Sequence, residues 1–250
     1  MSQTSNMDVT AVLTAMTDAE RSFVPLAVDS VLCQTRRCHV ILCVADENVW
    51  IDSMDLDADI TILRLPFAPP GVVRNAAVGH SDTKWIAFLD SDDLWEPRKL
   101  ERQVTIGERE GVPIVGCDYV FIDDEGRAFA HDLGRFYPMT STWLIERRLL
   151  VDQPFRTDLV GDEDGEWWHR SLRLAVPRRR VPEFLVRYRV REGALSIKPR
   201  KETLKRIAKW PLMRPPMLLG TRLVHRLFRS TTYRNDPTWD LDGEWVSRVG

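Results

Sequence analysis

Short apolar segments alternate with helical patterns through the first half of this sequence, and this alternation restricts its fold more than any other feature. Four segments read as buried strands: VTAVLTA (9–15), HVILCV (39–44), ITILRL (60–65) and WIAFL (85–89). Apolar residues at helical spacing follow the first and third of them, at 23–32 and 72–78. Such alternation predicts a mostly parallel sheet covered by helices. Ligands bind beyond the carboxyl ends of the strands in sheets of this kind.

The fourth apolar segment stops at a cluster of carboxylates, Asp90, Asp92 and Asp93. Side chains two apart on an extended segment face the same way, so Asp90 and Asp92 are placed to converge on one cation or one phosphate-bearing ligand. A divalent metal would relieve the repulsion between these charges. The other interpretation is an acidic turn before a helix, with Asp93 as the cap and Pro97 as the first proline. Thr14 and Asp46 also lie at predicted strand ends and would line the same crevice as Asp90.

Composition limits the classes of partner. The formal net charge is −2 and the sequence pI is about 6.2, which gives no electrostatic reason to expect nucleic-acid binding. The 250 residues, 44% of them apolar, suffice for one catalytic domain. The four cysteines form no CxxC pair, so we expect free thiols rather than a zinc site.

The two ends of the sequence bear on localisation. The first eight residues lack the layout of a secretory signal, and no apolar run has the length that a bilayer requires, so we expect a cytoplasmic protein. Residues 199–230 contain nine Lys or Arg and one acidic residue, interleaved with apolar side chains. The pattern predicts a peripheral contact with the inner membrane face or packing against a partner, and the other interpretation is an ordinary helix pair covering the catalytic domain.

The second half of the chain gives weaker patterns. An amphipathic helix is expected to reach about Glu110 and to end at Gly111, before a strand at 114–122. Residues 123–126 indicate a hairpin turn. We further expect a loop leading into a helix at 159–174 and a strand at 184–190.

Several segments, in order, resemble the signatures of family 2 glycosyltransferases. They are LAVDSVLCQT (26–35), RNAA (74–77), the aspartate-rich segment 85–97, Glu163-Asp164 with the tryptophans that follow, and Tyr188-Arg189. The resemblance covers residues 9–197 and implies the α/β GT-A fold: a mostly parallel, Rossmann-like sheet flanked by helices, a small acceptor-side sheet and a helical C-terminal tail. It implies a catalytic domain at 1–197, with a nucleotide-sugar-binding half (8–122) and an acceptor-side half (123–197). A basic amphipathic extension follows at 198–250.

The resemblance also implies a reaction and a donor site. The family transfers a sugar from a nucleotide-diphosphate donor to a hydroxyl acceptor (here a glycan, lipid or protein) with inversion, by metal-assisted single displacement. Asp92 would ligate Mn²⁺ or Mg²⁺, and Asp90 would contact the ribose or the metal's water shell. Arg74 would approach the diphosphate or ribose, unless it forms only a surface ion pair. The implied nucleotide-sugar contacts are Thr14, Asp46, Arg74, Asp90, Ser91 and Asp92.

On the acceptor side, the resemblance makes Asp164 the general base. A carboxylate that takes the acceptor's proton is worth about 10² to 10⁴ in rate. Acidic residues at 162–164 also suit a helix N-terminus, and the two roles are compatible. The acceptor-side candidates are Trp95, Glu163, Trp167 and Arg191. Core packing is the other interpretation of the tryptophans at 95, 143, 167 and 168, and His169 is expected on the helix surface.

The sequence departs from the family pattern in three places. The first strand of the family usually ends in Pro-Thr or a similar pair, where this sequence has Thr14-Ala15-Met16. After the second strand, Ala45 replaces an aspartate that commonly contacts the nucleobase, which leaves Asp46 as the base-contacting candidate. Arg191 and Ser196 lie where many members carry a histidine near the metal. Two other functions stay open: a haloacid dehalogenase-type phosphatase with Asp90 as nucleophile, and an inactive domain that binds only a nucleotide or glycan.

Overall fold

The computed structural model describes residues 7–57, 59–132 and 139–191, which divide into two compact units. Of the described residues, unit 1 contains those up to Tyr119 together with 139–188, and unit 2 contains Val120–Asp132 and 189–191. The basic extension 198–250, with its predicted membrane contact and its predicted boundary, lies outside the described residues.

Nine strands, five α-helices and three short 3-10 helices form in the described residues. The strands are β1 Val9–Ala15, β2 His39–Ala45, β3 Ile60–Leu65, β4 Trp85–Asp90, β5 Leu94–Trp95, β6 Ile114–Ile122, β7 Ala128–Asp132, β8 Leu144–Glu146 and β9 Arg178–Arg189. The helices are α1 Val24–Leu32, α2 Pro70–His80, α3 Lys99–Glu110, α4 Arg147–Asp152 and α5 Glu163–Arg173. The 3-10 helices span Asp18–Glu20, Val49–Ser53 and Thr140–Thr142.

Unit 1 is built on a sheet with the strand order β3-β2-β1-β4-β8-β6-β9-β5. The four strands β3, β2, β1 and β4 pair in parallel, and β8 joins antiparallel to β4. Parallel pairing brings their carboxyl ends to one edge of the sheet, as the alternating pattern predicted. The fold class is therefore confirmed in its main feature, a largely parallel sheet with helices packed on it.

The core explains why the parallel strands read as continuous apolar runs. Both faces of β1, β2 and β4 are covered, so nearly every residue in them is buried. Val12, Ile41, Ile86 and Phe88 belong to one cluster with apolar residues of α2. In these three strands, residues that are not buried occur only near the strand ends.

Several sequence predictions are confirmed closely and a few need correction. The strands at β1, β3 and β6 have the predicted bounds, and α3 ends at Gly111, whose positive φ of 62° is typical of a helix C-terminus. The predicted strand at 184–190 is longer and begins at Arg178. Asp93 does not cap α3, because that helix begins only at Lys99 with Arg98 in the capping position.

Unit 2 contains the predicted hairpin turn. β7 pairs with β6, and the backbone N–H of Gly126 donates to the carbonyl of Asp123 at 3.0 Å. Arg189 donates to the carbonyls of Asp123 and Asp124 at 2.7 and 2.8 Å, which fastens the turn.

Two further sequence predictions concern the whole chain. All four cysteines have free thiols, as expected. No helix among the described residues is both long enough and apolar enough to cross a bilayer.

Candidate active site

The carboxyl edge of the parallel strands collects the residues predicted at strand ends. Thr14 lies directly opposite Asp90 in the β1–β4 pairing. Asp46 follows β2, is exposed, and its backbone N–H donates to the carbonyl of Leu65 at 2.8 Å. The side chain of Asn48 donates to the carbonyl of Ala15 at 3.0 Å, which ties the segment after β2 to the end of β1. These contacts define a polar rim at one edge of the sheet.

The aspartate-rich segment turns sharply at this rim. The backbone N–H of Asp93 donates to the carbonyl of Asp90 at 2.9 Å, so the chain reverses within four residues. The side chain of Asp90 is 36% exposed and Asp92 is half-buried, whereas Asp93 is completely buried and accepts a hydrogen bond from Ser141 at 2.6 Å. Asp90 and Asp92 are thus the carboxylates that a ligand can reach, and Asp93 serves the turn itself.

The donor set fits a divalent cation that shares its coordination with a substrate. No group of three or more His, Cys, Asp or Glu side chains in the described part of the chain is arranged to hold a metal alone. Mg²⁺ typically uses one or two carboxylates together with phosphate oxygens and water, and Asp90 and Asp92 provide that number. Between them, the buried hydroxyl of Ser91 has no hydrogen-bond partner among the described residues, which leaves a polar atom for a bound group.

Arg74 lies under the rim and joins two carboxylates. Its Nη2 donates to Asp90 at 3.0 Å, and its Nη1 donates to Glu163, 89 residues away in the sequence. The residue is only 5% exposed, so its interpretation as a surface ion pair is wrong. Although burial lowers the pKa of Arg74, the charges of Asp90, Glu163 and Asp164 outweigh it and raise the pKa. A contact of Arg74 with the diphosphate stays a prediction.

Glu163 is the buried partner of Arg74. It is 3% exposed, and its Oε2 has no partner in the described residues. Burial raises the pKa of Glu163, and the attraction of Arg74 opposes the rise. The contact of Glu163 with the acceptor stays a prediction, and in the structure its partner is Arg74.

Asp164, the predicted base, lies in the first turn of α5 and is half-buried. Its Oδ2 accepts a hydrogen bond from the Thr140 hydroxyl at 3.0 Å, and its Oδ1 accepts from the backbone N–H of Gly165 at 2.6 Å. It follows Glu163 directly, and Glu163 and Asp90 share the guanidinium of Arg74. The structure thus brings the predicted base and the predicted donor-side carboxylates to one region.

The tryptophans belong to the core. Trp95, Trp143 and Trp167 are at most 1% exposed, and Trp143 lies 5.5 Å from Trp167 and 5.4 Å from Trp168, measured between ring centres. Acceptor contacts through Trp95 and Trp167 are therefore wrong predictions, since buried rings offer no stacking surface. His169 is exposed on α5, as expected.

Two residues with functional contacts escaped the sequence analysis, Thr140 and Ser141. They form a 3-10 turn before β8 and donate hydrogen bonds to Asp164 and Asp93, respectively. A run of three hydroxyl residues before an apolar segment is the only signal they leave in the sequence. Arg191, a predicted acceptor-side residue, is half-buried in unit 2, and its role stays a prediction.

Comparison with known families decides among the enzyme classes. The model of the family described as Glycosyl transferase family 2 matches residues 20–171, which is more than half of the chain. The chain belongs to this family. The phosphatase alternative, with Asp90 as nucleophile, is therefore wrong.

The curated relatives are distant. The chain is 30% identical to the succinoglycan biosynthesis protein ExoO of Rhizobium meliloti over 57% of its own length and 43% of that protein. It is 25% identical to an Escherichia coli glycosyltransferase, WfaP, over 71% of its own length and 76% of the relative. WfaP is named as a UDP-Glc:alpha-D-GlcNAc-diphosphoundecaprenol beta-1,3-glucosyltransferase. The chain spans about half the length, or less, of several curated relatives, for example 49% of one and 43% of another.

Among solved structures, S. aureus TarS in complex with UDP-GlcNAc superposes with a TM-score of 0.63 at 15% identity. The match covers 75% of this chain and 60% of that one. A similarity at this level of identity concerns the fold, and it confirms the predicted GT-A architecture for the described part of the chain.

Proposed function

We propose that this chain is an inverting glycosyltransferase that moves a sugar from a nucleotide-diphosphate donor to a hydroxyl group of a glycan, lipid or protein. One observation carries the proposal. Arg74 is shared by Asp90, on the donor side, and by Glu163, the neighbour of Asp164. An arrangement in which one buried cation joins both groups supports a single site with a donor-binding part and a base.

The donor is proposed to be a UDP-sugar. WfaP is named for UDP-Glc, and the TarS structure contains UDP-GlcNAc, so both sugars are reasonable first probes. Thr14 and Asp46 are at the rim where the nucleotide would lie, with Asp46 as the contact to the base in place of the aspartate that Ala45 replaces. The unpartnered hydroxyl of Ser91 is the group we assign to a donor oxygen.

Asp92 and Asp90 would hold Mn²⁺ or Mg²⁺ together with the donor. Such an ion, when bound, neutralises charge on the departing diphosphate. The protein's own contribution is to fix Asp90 from below through the Arg74 guanidinium. One carboxylate oxygen of Asp90 accepts this hydrogen bond, and the exposed part of the side chain stays accessible to the ligand.

Asp164 is proposed to accept the proton of the acceptor hydroxyl as the new glycosidic bond forms. A sugar hydroxyl is a weak nucleophile near neutral pH, so the carboxylate must be held in one orientation. Hydrogen bonds to both of its oxygens, from Thr140 and from the backbone of Gly165, supply that orientation. One displacement with the base on one face and the diphosphate on the other inverts the anomeric centre.

The experiment that tests this function combines binding and turnover. UDP-Glc and UDP-GlcNAc, with and without Mn²⁺, are screened for thermal stabilisation of the protein, followed by an assay for UDP release with water or a simple alcohol as acceptor. We expect Mn²⁺-dependent stabilisation by at least one donor, and its loss in Asp92→Ala. Asp82→Ala is the matched control, because Asp82 is exposed before the opposite end of β4 and should behave as wild type. Stabilisation without any UDP release would favour the inactive binding domain instead.

A further inference from the structure

The 3-10 turn Thr140–Thr142 contacts both parts of the proposed site. All three of its residues are at most 2% exposed. The turn is closed by its own backbone, since the N–H of Thr142 donates to the carbonyl of Met139 at 2.8 Å and the N–H of Trp143 to that of Thr140 at 3.0 Å. Two adjacent side chains of this rigid turn therefore have fixed directions.

Thr140 points to the base. Its hydroxyl donates to Oδ2 of Asp164 at 3.0 Å, while the other oxygen of Asp164 is bonded to the backbone of Gly165. The backbone bond comes from the next residue, so it cannot fix the carboxylate relative to anything outside α5. The hydrogen bond from Thr140, in the turn before β8, fixes Asp164 relative to the sheet.

Ser141 points to the aspartate-rich turn. Its hydroxyl donates to Oδ2 of Asp93 at 2.6 Å and accepts from the backbone N–H of Asp90 at 3.2 Å. Its carbonyl accepts from the indole N–H of Trp95 at 2.9 Å. One residue thus contacts the start and the end of the segment that carries Asp92, and it fastens that segment to the core.

We propose that Thr140 and Ser141 are positioning residues for the two parts of the reaction, Thr140 for the general base and Ser141 for the donor-side carboxylates. The inference rests on the proposed function. Because both residues belong to one closed turn, they also set the distance between the two parts. Each acts through a carboxylate, Thr140 through Asp164 and Ser141 through Asp93.

The two neighbouring residues are expected to affect different quantities, Thr140 the kcat and Ser141 the Kd for the donor. Thr140→Val keeps the shape and removes the hydroxyl, so kcat for UDP release should fall about tenfold or more while the Kd for the donor changes less than twofold. Thr140→Ser should restore most of kcat. Ser141→Ala frees the aspartate-rich turn, so it should raise the Kd for the donor with Mn²⁺ about tenfold. Donor Kd is measured by calorimetry with UDP-GlcNAc or UDP-Glc.

Thr142→Val is the matched control, because the Thr142 hydroxyl donates to the carbonyl of Met139 within the turn and to neither carboxylate. It should leave kcat and Kd near wild type even if the melting temperature falls. A wild type that releases UDP would overturn the inference alone if Thr140→Val and Ser141→Ala each lower kcat and raise the donor Kd together, or if they change neither quantity. A wild type that neither binds nor cleaves any donor would overturn the proposed function, and the inference with it.

Discussion

Arg74 donates a hydrogen bond to Asp90 at 3.0 Å, although only 5% of Arg74 is exposed. Its guanidinium lies over the rings of Phe88 and Phe155, at 6.0 and 5.8 Å from their centres. A charge placed among apolar rings is costly unless it is paired, and here the pairing carboxylates belong to the proposed site. The site and the core are therefore stabilised by the same ion pairs.

Replacing Arg74 should damage folding as well as activity. Arg74→Met leaves Glu163 as a buried carboxylate without its cation, which costs about 3 to 5 kcal/mol in the free energy of unfolding. Arg64→Met is the matched control, because the Arg64–Asp52 pair is exposed, with 33% and 65% of the two side chains accessible, and is worth about 0 to 1 kcal/mol. Urea unfolding of both variants measures the difference. Equal losses would show that burial of the Arg74 pair has no energetic importance.

Removing the proposed base should affect turnover alone. Asp164→Asn keeps the size of the side chain but cannot accept the acceptor's proton, so kcat should fall about 10² to 10⁴-fold with the donor Kd unchanged. The control is Asp162→Asn, two residues away. Asp162 is exposed and has a positive φ of 62°, a conformation that Asn also adopts readily. If Asp164→Asn turned over as fast as Asp162→Asn, another residue would have to be the base.

The sequence was informative where local pattern decides structure. Strands such as β1 and β6 could be predicted to the residue, since continuous apolar runs between polar segments leave little choice of position. The edge that collects Thr14 and Asp90 followed from the parallel topology alone.

Contacts between distant segments could not be predicted in this way. The burial of Arg74 depends on Glu163, far along the chain, and nothing near Arg74 in sequence indicates that partner. The same holds for Thr140 and Ser141. Threonine and serine are common residues, and these two are important only because their hydroxyls contact Asp164 and Asp93. Trp95 and Trp167 were misjudged because a tryptophan in a core and one in a sugar site look alike in sequence.

Two glycines of helix α2 should respond in opposite ways to the same substitution. A Cβ on Gly71 would lie 2.5 Å from the carbonyl oxygen of Arg156, in the segment that leads to α5, so Gly71→Ala must displace backbone and destabilise the fold. A Cβ on Gly79 would meet nothing within 4 Å, and Ala is preferred over Gly in a helix by about 0.5 to 1 kcal/mol. Gly79→Ala should therefore raise the melting temperature.

The same pair of variants tests the link between α2 and the site. Gly71→Ala should also reduce kcat, because the displaced segment precedes Glu163 and Asp164. Thermal unfolding by circular dichroism and UDP release are measured on both proteins. A Gly71→Ala protein as stable as wild type would mean that the close approach of α2 to Arg156 is not maintained in solution.

Lys99 gives a pH-dependent prediction that is independent of the site. It lies in the first turn of α3 and is completely buried, with its Nζ 4.1 Å from the centre of the Trp95 ring and 3.5 Å from the carbonyl oxygen of Trp143. Burial lowers its pKa from 10.5 to about 8. Between these two pH values the unfolded chain binds more protons at Lys99 than the folded chain does. Burial of the charged Lys99 therefore lowers the free energy of unfolding by its full amount below pH 8, and this effect disappears as the pH rises toward 10.5.

Lys99→Met removes this titration. Relative to wild type, the variant's free energy of unfolding should therefore decrease by about 3 kcal/mol between pH 7 and about pH 10.5, whatever its offset at neutral pH. Lys84→Met is the matched control, because Lys84 also lies over an indole ring, 5.1 Å from the centre of Trp85, but is exposed. Lys84→Met should keep the wild-type increase in stability between pH 8 and pH 10.5, because it leaves Lys99 in place. Burial raises the pKa of Cys38 and Cys117, the thiols that interact electrostatically with Lys99, to about 12, so both stay protonated in the folded protein up to about pH 10.5. A flat difference for Lys99→Met would mean that Lys99 reaches water in solution.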